Sequence, residues 1–185
     1  MREKILLQSP GRPEPCVILT GMPGAGKSTV GKLLAQAVSW AYLDTDHLIE
    51  AIYARRLQEV TDAMSKEQFL DTESAVILTL RANRAIIGTG GSVVYREATM
   101  RHLKSLGTIV YLSAPLETIK ERVARNPDRG LAIAPGQTME DLFAERESLY
   151  KRWADVVCDT GSNSPQGCAD ELCQKLFKNG MLSAC

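Results

Sequence analysis

One stretch of the chain has the residue types and the spacing needed to bind a nucleoside triphosphate. Residues 21–28 read Gly-Met-Pro-Gly-Ala-Gly-Lys-Ser, which matches the phosphate-binding pattern GxxxxGK[ST] at every fixed position. Glycines let the backbone curl until successive N–H groups point into one concavity, and a following helix adds its positive dipole end. Lys27 would add a charge for the β- and γ-phosphates, and the Ser28 hydroxyl is suited to Mg²⁺. We therefore predict that ATP is bound by Gly24, Ala25, Gly26, Lys27, Ser28 and Thr29.

A pair of carboxylates follows at the end of the second apolar run. Asp44 and Asp46 are separated by one residue, so their side chains point to the same side if the extended conformation continues. One carboxylate of such a pair can hold Mg²⁺ through water, while the other orients and deprotonates an attacking hydroxyl. The alternative is that Asp44 is a turn residue and that Asp46 caps the following helix.

The elements that position these residues alternate between short β-rich runs and longer stretches of helical periodicity. Strands are predicted at 16–20, 40–43, 85–88, 108–112 and 155–158. Helices are predicted at 27–38, 47–56, 66–81, 96–105, 116–124, 139–153 and 165–178. This alternation is typical of βαβ units with a parallel sheet covered on both faces. The sequence therefore predicts an α/β fold of three layers, α/β/α, with a five-stranded parallel sheet of the P-loop NTPase type.

The 185 residues suit a single domain over 1–185, in which residues 1–14 form an N-terminal extension. Residues 126–137 contain two prolines and two glycines between two predicted helices. Such a segment is typical of a lid, although an idle surface connection is the alternative.

Charge and hydropathy limit the classes of partner. Lys plus Arg number 22, as do Asp plus Glu, so no overall basic field would hold nucleic acid or an anionic membrane. No apolar run approaches the roughly 18 residues that span a bilayer, and the first 15 residues carry charges and prolines instead of a signal peptide's apolar stretch. We expect a monomer in the cytoplasm that acts on a small molecule, with no nucleic-acid or membrane partner.

Taken in order, these features resemble the shikimate kinase family, within the small-metabolite kinases of the P-loop proteins. The resemblance runs from about Val17 to Asp159. Its landmarks after the phosphate loop are the Asp-x-Asp pair, Phe69 with Glu73, Thr89-Gly90-Gly91, Arg122, Arg129, and the run Glu145-Arg146-Glu147-Ser148-Leu149-Tyr150, which is similar to the family's Arg-x-x-x-Tyr helix. Each landmark is weak alone, but their order and spacing are specific.

On the nucleotide side, the resemblance implies ATP and Mg²⁺ as the bound groups. Ser28 and Asp44 would support the metal, and Arg122 would lie along the adenine. Arg129 resembles the lid arginine that closes over the transferring phosphoryl group, where a planar cation stabilises spreading negative charge. Together with Lys27 and Asp46, Arg129 would form the catalytic set.

On the acceptor side, the resemblance implies that Asp46 binds and activates a substrate hydroxyl. The backbone at Gly90 and Gly91 would contact the substrate, and Arg146 would pair with its carboxylate. For the arginines 122, 129 and 146, the alternative is a solvated charge on a helix face.

The departures from the family pattern fall on the acceptor side. Leu70 stands where the family has an arginine that grips the carboxylate, Ser92 replaces a third glycine, and the lid's Arg-Pro-Leu becomes Arg-Gly-Leu at 129–131. Loss of one such charged contact costs about 1.5–3 kcal/mol, or one to two decades in affinity. Leucine offers apolar surface there, and Arg55 or Arg56 is available to compensate.

These observations leave three hypotheses. The first is a kinase acting on shikimate or on another hydroxy acid or polyol. The second is a noncatalytic module that senses a ligand, and retention of both carboxylates with Lys27 argues against it. The third, a nucleoside or nucleotide kinase, is weaker because the helix predicted at 47–56 offers only Tyr53 for base stacking.

Overall fold

The computed structural model describes residues 15–125 and 136–182. Its strands are β1 Cys16–Thr20, β2 Ala41–Asp44, β3 Ala85–Gly88, β4 Gly107–Ser113 and β5 Val156–Asp159. Its helices are α1 Lys27–Ala37, α2 Thr45–Tyr53, α3 Leu57–Asp62, α4 Lys66–Thr79, α5 Glu97–Leu106, α6 Leu116–Ala124, α7 Met139–Trp153 and α8 Pro165–Lys178. A short 3₁₀ turn, Val93–Tyr95, lies between β3 and α5.

The five strands form one parallel sheet in the order β2-β3-β1-β4-β5. Strand β1 is central and buried along its whole length, with Ile18 opposite Ile87 on one side and opposite Ile109 on the other. The strand order reverses at β1, and ligands of open parallel sheets bind beyond the carboxyl ends of the strands at such a point. The phosphate loop follows β1 at this position, so the α/β prediction is confirmed together with its placement of the loop.

Helices cover both faces of the sheet. Helix α1 contacts α8 and strands β1, β2 and β3, whereas α5 and α7 contact β4 and lie in the layer that includes α4. The main core comprises the buried residues of the strands and of these helices. A second, small cluster of Ile49, Val60 and Phe69 joins α2, α3 and α4 beyond the edge of the sheet. Helices α2, α3 and α4 therefore share a small core of their own.

The predicted strand ends agree with the observed ends to within one residue, and helices α6, α7 and α8 have the predicted bounds. The helix predicted at 47–56 lies two to three residues earlier in the structure, where it is α2. It begins at Thr45 because the Asp44 side chain accepts a hydrogen bond from the Asp46 N–H, and it ends where Ala54 takes a left-handed conformation, with φ 50°. Helix α3 was not predicted, since six residues are too few to establish a helical period.

The N-terminal extension and residues 126–135 of the predicted lid lie outside the described residues. Across 15–125 and 136–182, no helix has both the length and the apolar character that a transmembrane segment requires.

Gly31 is required by the packing of α1 on the sheet. A β-carbon there would lie 2.5 Å from Tyr42 Cε2 and 2.9 Å from Leu19 Cδ1. We expect Gly31→Ala to lower the free energy of unfolding by about 1–3 kcal/mol, the usual cost of overpacking a core. Urea titration followed by circular dichroism measures this change. The matched control is Gln36→Ala on the exposed side of the same helix; a similar loss there would contradict the packing explanation.

Candidate active site

The phosphate loop has the backbone geometry that an anion cradle requires. Gly24 and Gly26 adopt φ angles of 82° and 92°, a left-handed conformation that costs little only for glycine. Helix α1 begins at Lys27, so its free N–H groups open toward the loop. The Lys27 Nζ donates to the carbonyl oxygens of Gly21 at 2.7 Å and Met22 at 3.0 Å, which holds the ammonium group over the loop.

Thr160, which follows the edge strand β5, stabilises the phosphate loop through hydrogen bonds. Its Oγ1 donates to the Ala25 carbonyl at 2.9 Å, and its own carbonyl accepts from Arg122 Nη2 at 2.7 Å. Arg122 also donates to the Gly24 carbonyl at 3.3 Å. Arg122, Thr29 and Thr160 line a cavity of about 200 Å³ beside the loop. This position is suitable for the base of a nucleotide whose phosphates lie on the loop.

Asp44 connects the second strand to the phosphate loop. Its Oδ2 accepts from Tyr42 OH at 3.0 Å and from Ser28 Oγ at 3.3 Å, while its Oδ1 accepts from the Asp46 N–H at 3.1 Å. Helix α2 is thus capped by Asp44 rather than by Asp46, which corrects the alternative considered from the sequence. The extended conformation ends at Asp44, yet both carboxylates line the same cavity. A hydroxyl beside a carboxylate is an oxygen pair that fits Mg²⁺.

Asp46 lies in a cavity of about 570 Å³ between the phosphate loop, the strand ends and helices α2 and α3. Burial and, next, the charge of Asp44 raise the pKa of Asp46 to about 6, although Lys27 acts in the opposite direction. A carboxylate with a pKa near neutrality is a better proton acceptor than an ordinary aspartate.

Gly90 separates Asp46 from a second carboxyl group. A β-carbon on Gly90 would overlap Glu73 Oε1 and would lie 2.9 Å from Asp46 Oδ1, so only glycine fits. The Gly90 N–H donates to Thr45 Oγ1 at 3.1 Å. Its close neighbours are therefore acidic, and its amide is already bonded within the protein.

Glu73 is 2% exposed, and its Oε2 accepts from Ser92 Oγ at 2.8 Å. Its Oε1 has no hydrogen-bond partner within the described part of the chain. Burial, then the charge of Asp46, raise the pKa of Glu73 to about 7, against the lowering effects of Ser92 and Arg146. Ser92, where the resemblance expects glycine, thus donates a hydrogen bond to this buried carboxyl group.

Arg146 is 1% exposed and lies behind Gly91. Its Nε donates to Tyr95 OH at 3.1 Å, and its guanidinium stacks on the Tyr95 ring at 5.2 Å. The Gly91 carbonyl accepts from Tyr150 OH at 2.6 Å, and Tyr150 stacks on Tyr111 with ring centroids 5.2 Å apart. Aromatic residues therefore fix both Arg146 and the glycine turn beside the cavity.

Leu70 does not form the apolar pocket edge that the sequence suggested. It is 2% exposed and is not among the residues that line the larger cavity, whereas Arg56 is one of them.

The predicted site residues fall into four groups. Those that line the larger cavity are Gly24, Gly26, Lys27, Ser28, Asp44, Asp46 and Gly91. Thr29 and Arg122 line the smaller one, which also includes Gly24 and Gly26, while Ala25, Gly90 and Arg146 are adjacent to these surfaces. Arg129 lies outside the described residues. Sequence reasoning gave no role to Tyr42, Ser92, Tyr95 or Thr160, whose contacts depend on the folded chain.

Three comparisons bear on this site. The sequence model of the family described as "Shikimate kinase" matches residues 23–177. The chain is 37% identical to a shikimate kinase of Chromohalobacter salexigens, over 87% of this chain and 91% of that one. It is also 36% identical to human threonine synthase-like 1, over 84% of this chain but only 21% of that protein. Among solved structures, shikimate kinase from Acinetobacter baumannii in complex with shikimate superposes with a TM-score of 0.81 at 30% identity, over 90% of this chain and 94% of that one.

The raised pKa of Glu73 predicts a pH dependence of stability. The folded protein binds the Glu73 proton more tightly than the unfolded chain, so stability falls as pH rises from about 4.5 to about 7. We expect Glu73→Gln to remove the part of this slope that Glu73 contributes, a gain of up to about 3 kcal/mol relative to wild type between pH 5 and pH 8. The raised pKa of Asp46 keeps a slope of its own, from about pH 4 to about pH 6. Urea titrations at four pH values measure the slope. The exposed Glu97→Gln is the control, and an unchanged slope in Glu73→Gln would contradict the assignment.

Proposed function

The chain belongs to the shikimate kinase family, and from that premise we propose that it transfers the γ-phosphoryl group of ATP to a hydroxyl of shikimate or of a closely related hydroxy acid. The observation that carries this proposal is the common cavity of Lys27, Ser28, Asp44 and Asp46 at the carboxyl edge of the sheet. It combines an anion cradle, a pair of metal-binding oxygens and a proton acceptor in one volume of about 570 Å³.

The phosphate loop would bind ATP through the backbone N–H groups of residues 24–29. Lys27 Nζ is held over the loop by two carbonyl groups, and its charge would stabilise the β- and γ-phosphates. Arg122 and Thr160 would keep the loop in its curled form while Arg122 lies beside the base.

Ser28 and Asp44 would hold Mg²⁺, with Asp44 acting directly or through water. In this position Mg²⁺ would supply positive charge that offsets the negative charge of the phosphates. The contact between Ser28 Oγ and Asp44 Oδ2 at 3.3 Å supports this assignment, since both oxygens already face one another.

Asp46 would orient the acceptor hydroxyl and accept its proton as the oxygen attacks the γ-phosphorus. Its carboxylate is half-buried, lines the cavity and has a pKa raised to about 6. The hydroxyl proton would therefore move to a carboxylate that is ionised at neutral pH and is a stronger base than an ordinary aspartate.

Arg146 and the backbone at Gly91 would contact the acceptor, with the guanidinium paired to its carboxylate. Arg129 would stabilise the charge of the transferring phosphoryl group, and residues 126–137 would close as a lid that excludes water. We also propose that the chain is one domain that works as a monomer in the cytoplasm, in keeping with its balanced charge.

The noncatalytic sensor is disfavoured, because a module that only binds a ligand has no need of both a base and a metal-binding carboxylate. The relative from Chromohalobacter salexigens, of which the match covers 91%, is a shikimate kinase.

The role of Asp46 is tested by Asp46→Asn. We expect kcat to fall by about 10²–10⁴, since an amide cannot accept the hydroxyl proton, while ATP affinity by calorimetry stays within about twofold of wild type, because ATP contacts come from the loop. The control is Asp170→Asn, an exposed carboxylate on α8. An Asp46→Asn enzyme with wild-type turnover would remove Asp46 from this role.

The acceptor is identified by a coupled ADP-release assay with shikimate, quinate, related cyclic acids and simple polyols. We expect shikimate or a close relative among the hydroxy acids to give the highest kcat/KM. Leu70→Arg runs beside wild type, because an arginine there would be one helical turn from Glu73 Oε1, which has no hydrogen-bond partner in the described ranges 15–125 and 136–182. Turnover of shikimate only by Leu70→Arg would assign wild type to a different acceptor, and ATP binding without turnover of any compound would refute the kinase proposal.

A further inference from the structure

The acceptor end of the larger cavity carries an arginine that none of the roles above uses. We infer that Arg56, at the start of α3, binds an anionic group of the acceptor and so selects acceptors that carry a carboxylate. This inference rests on the proposed function, since it concerns how the acceptor of that reaction is recognised. Three features support it: the fixed backbone at Arg56, the absence of an ion pair with any residue that the structure describes, and the different position of its neighbour Arg55.

The backbone on both sides of Arg56 is held by carboxylates. The Arg56 N–H donates to Glu59 Oε2 at 2.9 Å, and the Leu57 N–H donates to Glu50 Oε1 at 2.9 Å. Ala54, with φ 50°, makes the turn that brings this segment back toward the cavity. The starting point of the Arg56 side chain is therefore defined by the fold.

Helix α3 itself is anchored beside the site. Leu57 packs against the cluster of Ile49, Val60 and Phe69, which joins α3 to α2 and α4. Helix α2 begins at the Asp44 cap and carries Asp46. Arg56, the residue that caps the N-terminus of α3, thus keeps a constant position relative to the residue that would activate the acceptor hydroxyl.

The Arg56 guanidinium forms no ion pair with a described residue. The nearby carboxylates of Glu50 and Glu59 are bonded to backbone amides instead. By contrast, Arg96 is paired with Glu67 and Asp71 on the surface. The donors of Arg56 can therefore meet a ligand. They can share one carboxylate with Arg146, because the two oxygens of a carboxylate offer about four acceptor sites.

The other cations that line this cavity are Lys27 and Lys32. Lys27 is held over the phosphate loop, and Lys32 lies 6.0 Å from the centroid of the Tyr42 ring, on α1. Arg56 is the cation on the α2–α3 side among the described lining residues.

Arg55 provides a matched control. It is the same residue type, one position earlier, and it is exposed, but it is not among the residues that line the cavity. Removal of either arginine changes the net charge equally. A difference in kinetics between the Arg55 and Arg56 variants would therefore come from the position of the arginine and not from the net charge of the protein.

The experiment compares shikimate with its uncharged methyl ester in steady-state ADP release by wild type, Arg56→Gln, Arg55→Gln and Lys32→Gln. We expect Arg56→Gln to raise the KM for shikimate about fivefold to tenfold, a modest effect because Arg56 is exposed. The KM for the ester, the KM for ATP and kcat should each stay within about twofold of wild type. Arg55→Gln and Lys32→Gln should leave the ratio of the two acceptor KM values unchanged.

Three results would overturn the inference: an unchanged KM for shikimate in Arg56→Gln, equal losses for shikimate and its ester, or a carboxylate-dependent loss in Arg55→Gln or Lys32→Gln. In each of these cases wild-type turnover would leave the proposed function standing. Absence of ADP release by wild type with both compounds and with the wider acceptor panel would instead refute the proposed function, and this inference with it.

Discussion

The site depends on the hydrogen bonds that the Asp44 carboxylate accepts. Its Oδ2 accepts hydrogen bonds from the hydroxyl groups of Tyr42 and Ser28, and its Oδ1 accepts one from the Asp46 N–H. These bonds join strand β2, the first turn of α1 and the start of α2 at one point. Because hydrogen bonds to an ionised acceptor are stronger than neutral ones, this carboxylate fixes the distance between the phosphate loop and the residue proposed as the base.

The packing of α1 on the sheet also fixes the position of Tyr42, which donates to Asp44. Gly31 and Gly88 both lie against the Tyr42 side chain, where a β-carbon would collide with the ring or its hydroxyl. The Tyr42 hydroxyl can therefore reach Asp44 only because two neighbouring positions carry no side chain. The packing of a helix on the sheet and the electrostatics of the site are thus set by the same residue.

The sequence predicted the sheet, the main helices and the phosphate loop because each depends on local signals, namely short apolar runs, helical periodicity and the GxxxxGK[ST] pattern. It also predicted that Asp44 and Asp46 would act together, although by an extended conformation that the α2 cap interrupts. The roles of Ser92 and Thr160 could not be predicted, since each bonds a residue distant in sequence, Glu73 and Ala25 respectively. Arg55 and Arg56 were equivalent in the sequence, and only the turn at Ala54 distinguishes them.

Two ionisable side chains, Glu73 and Arg146, are buried beside Gly90 and Gly91, and their burial lowers the stability of the fold. Glu73 and Arg146 are both almost fully buried, and a buried polar atom without a partner costs about 1–3 kcal/mol. Ser92 and Tyr95 each supply one bond to these groups, but Glu73 Oε1 remains without a partner among the described residues. This oxygen lies against Gly90, and a polar group kept at such a cost beside a cavity indicates a role in ligand binding and not in stability. The acceptor side is built on the small α2–α3–α4 cluster, so substitutions there can change the acceptor while the sheet and the phosphate loop keep the nucleotide in place.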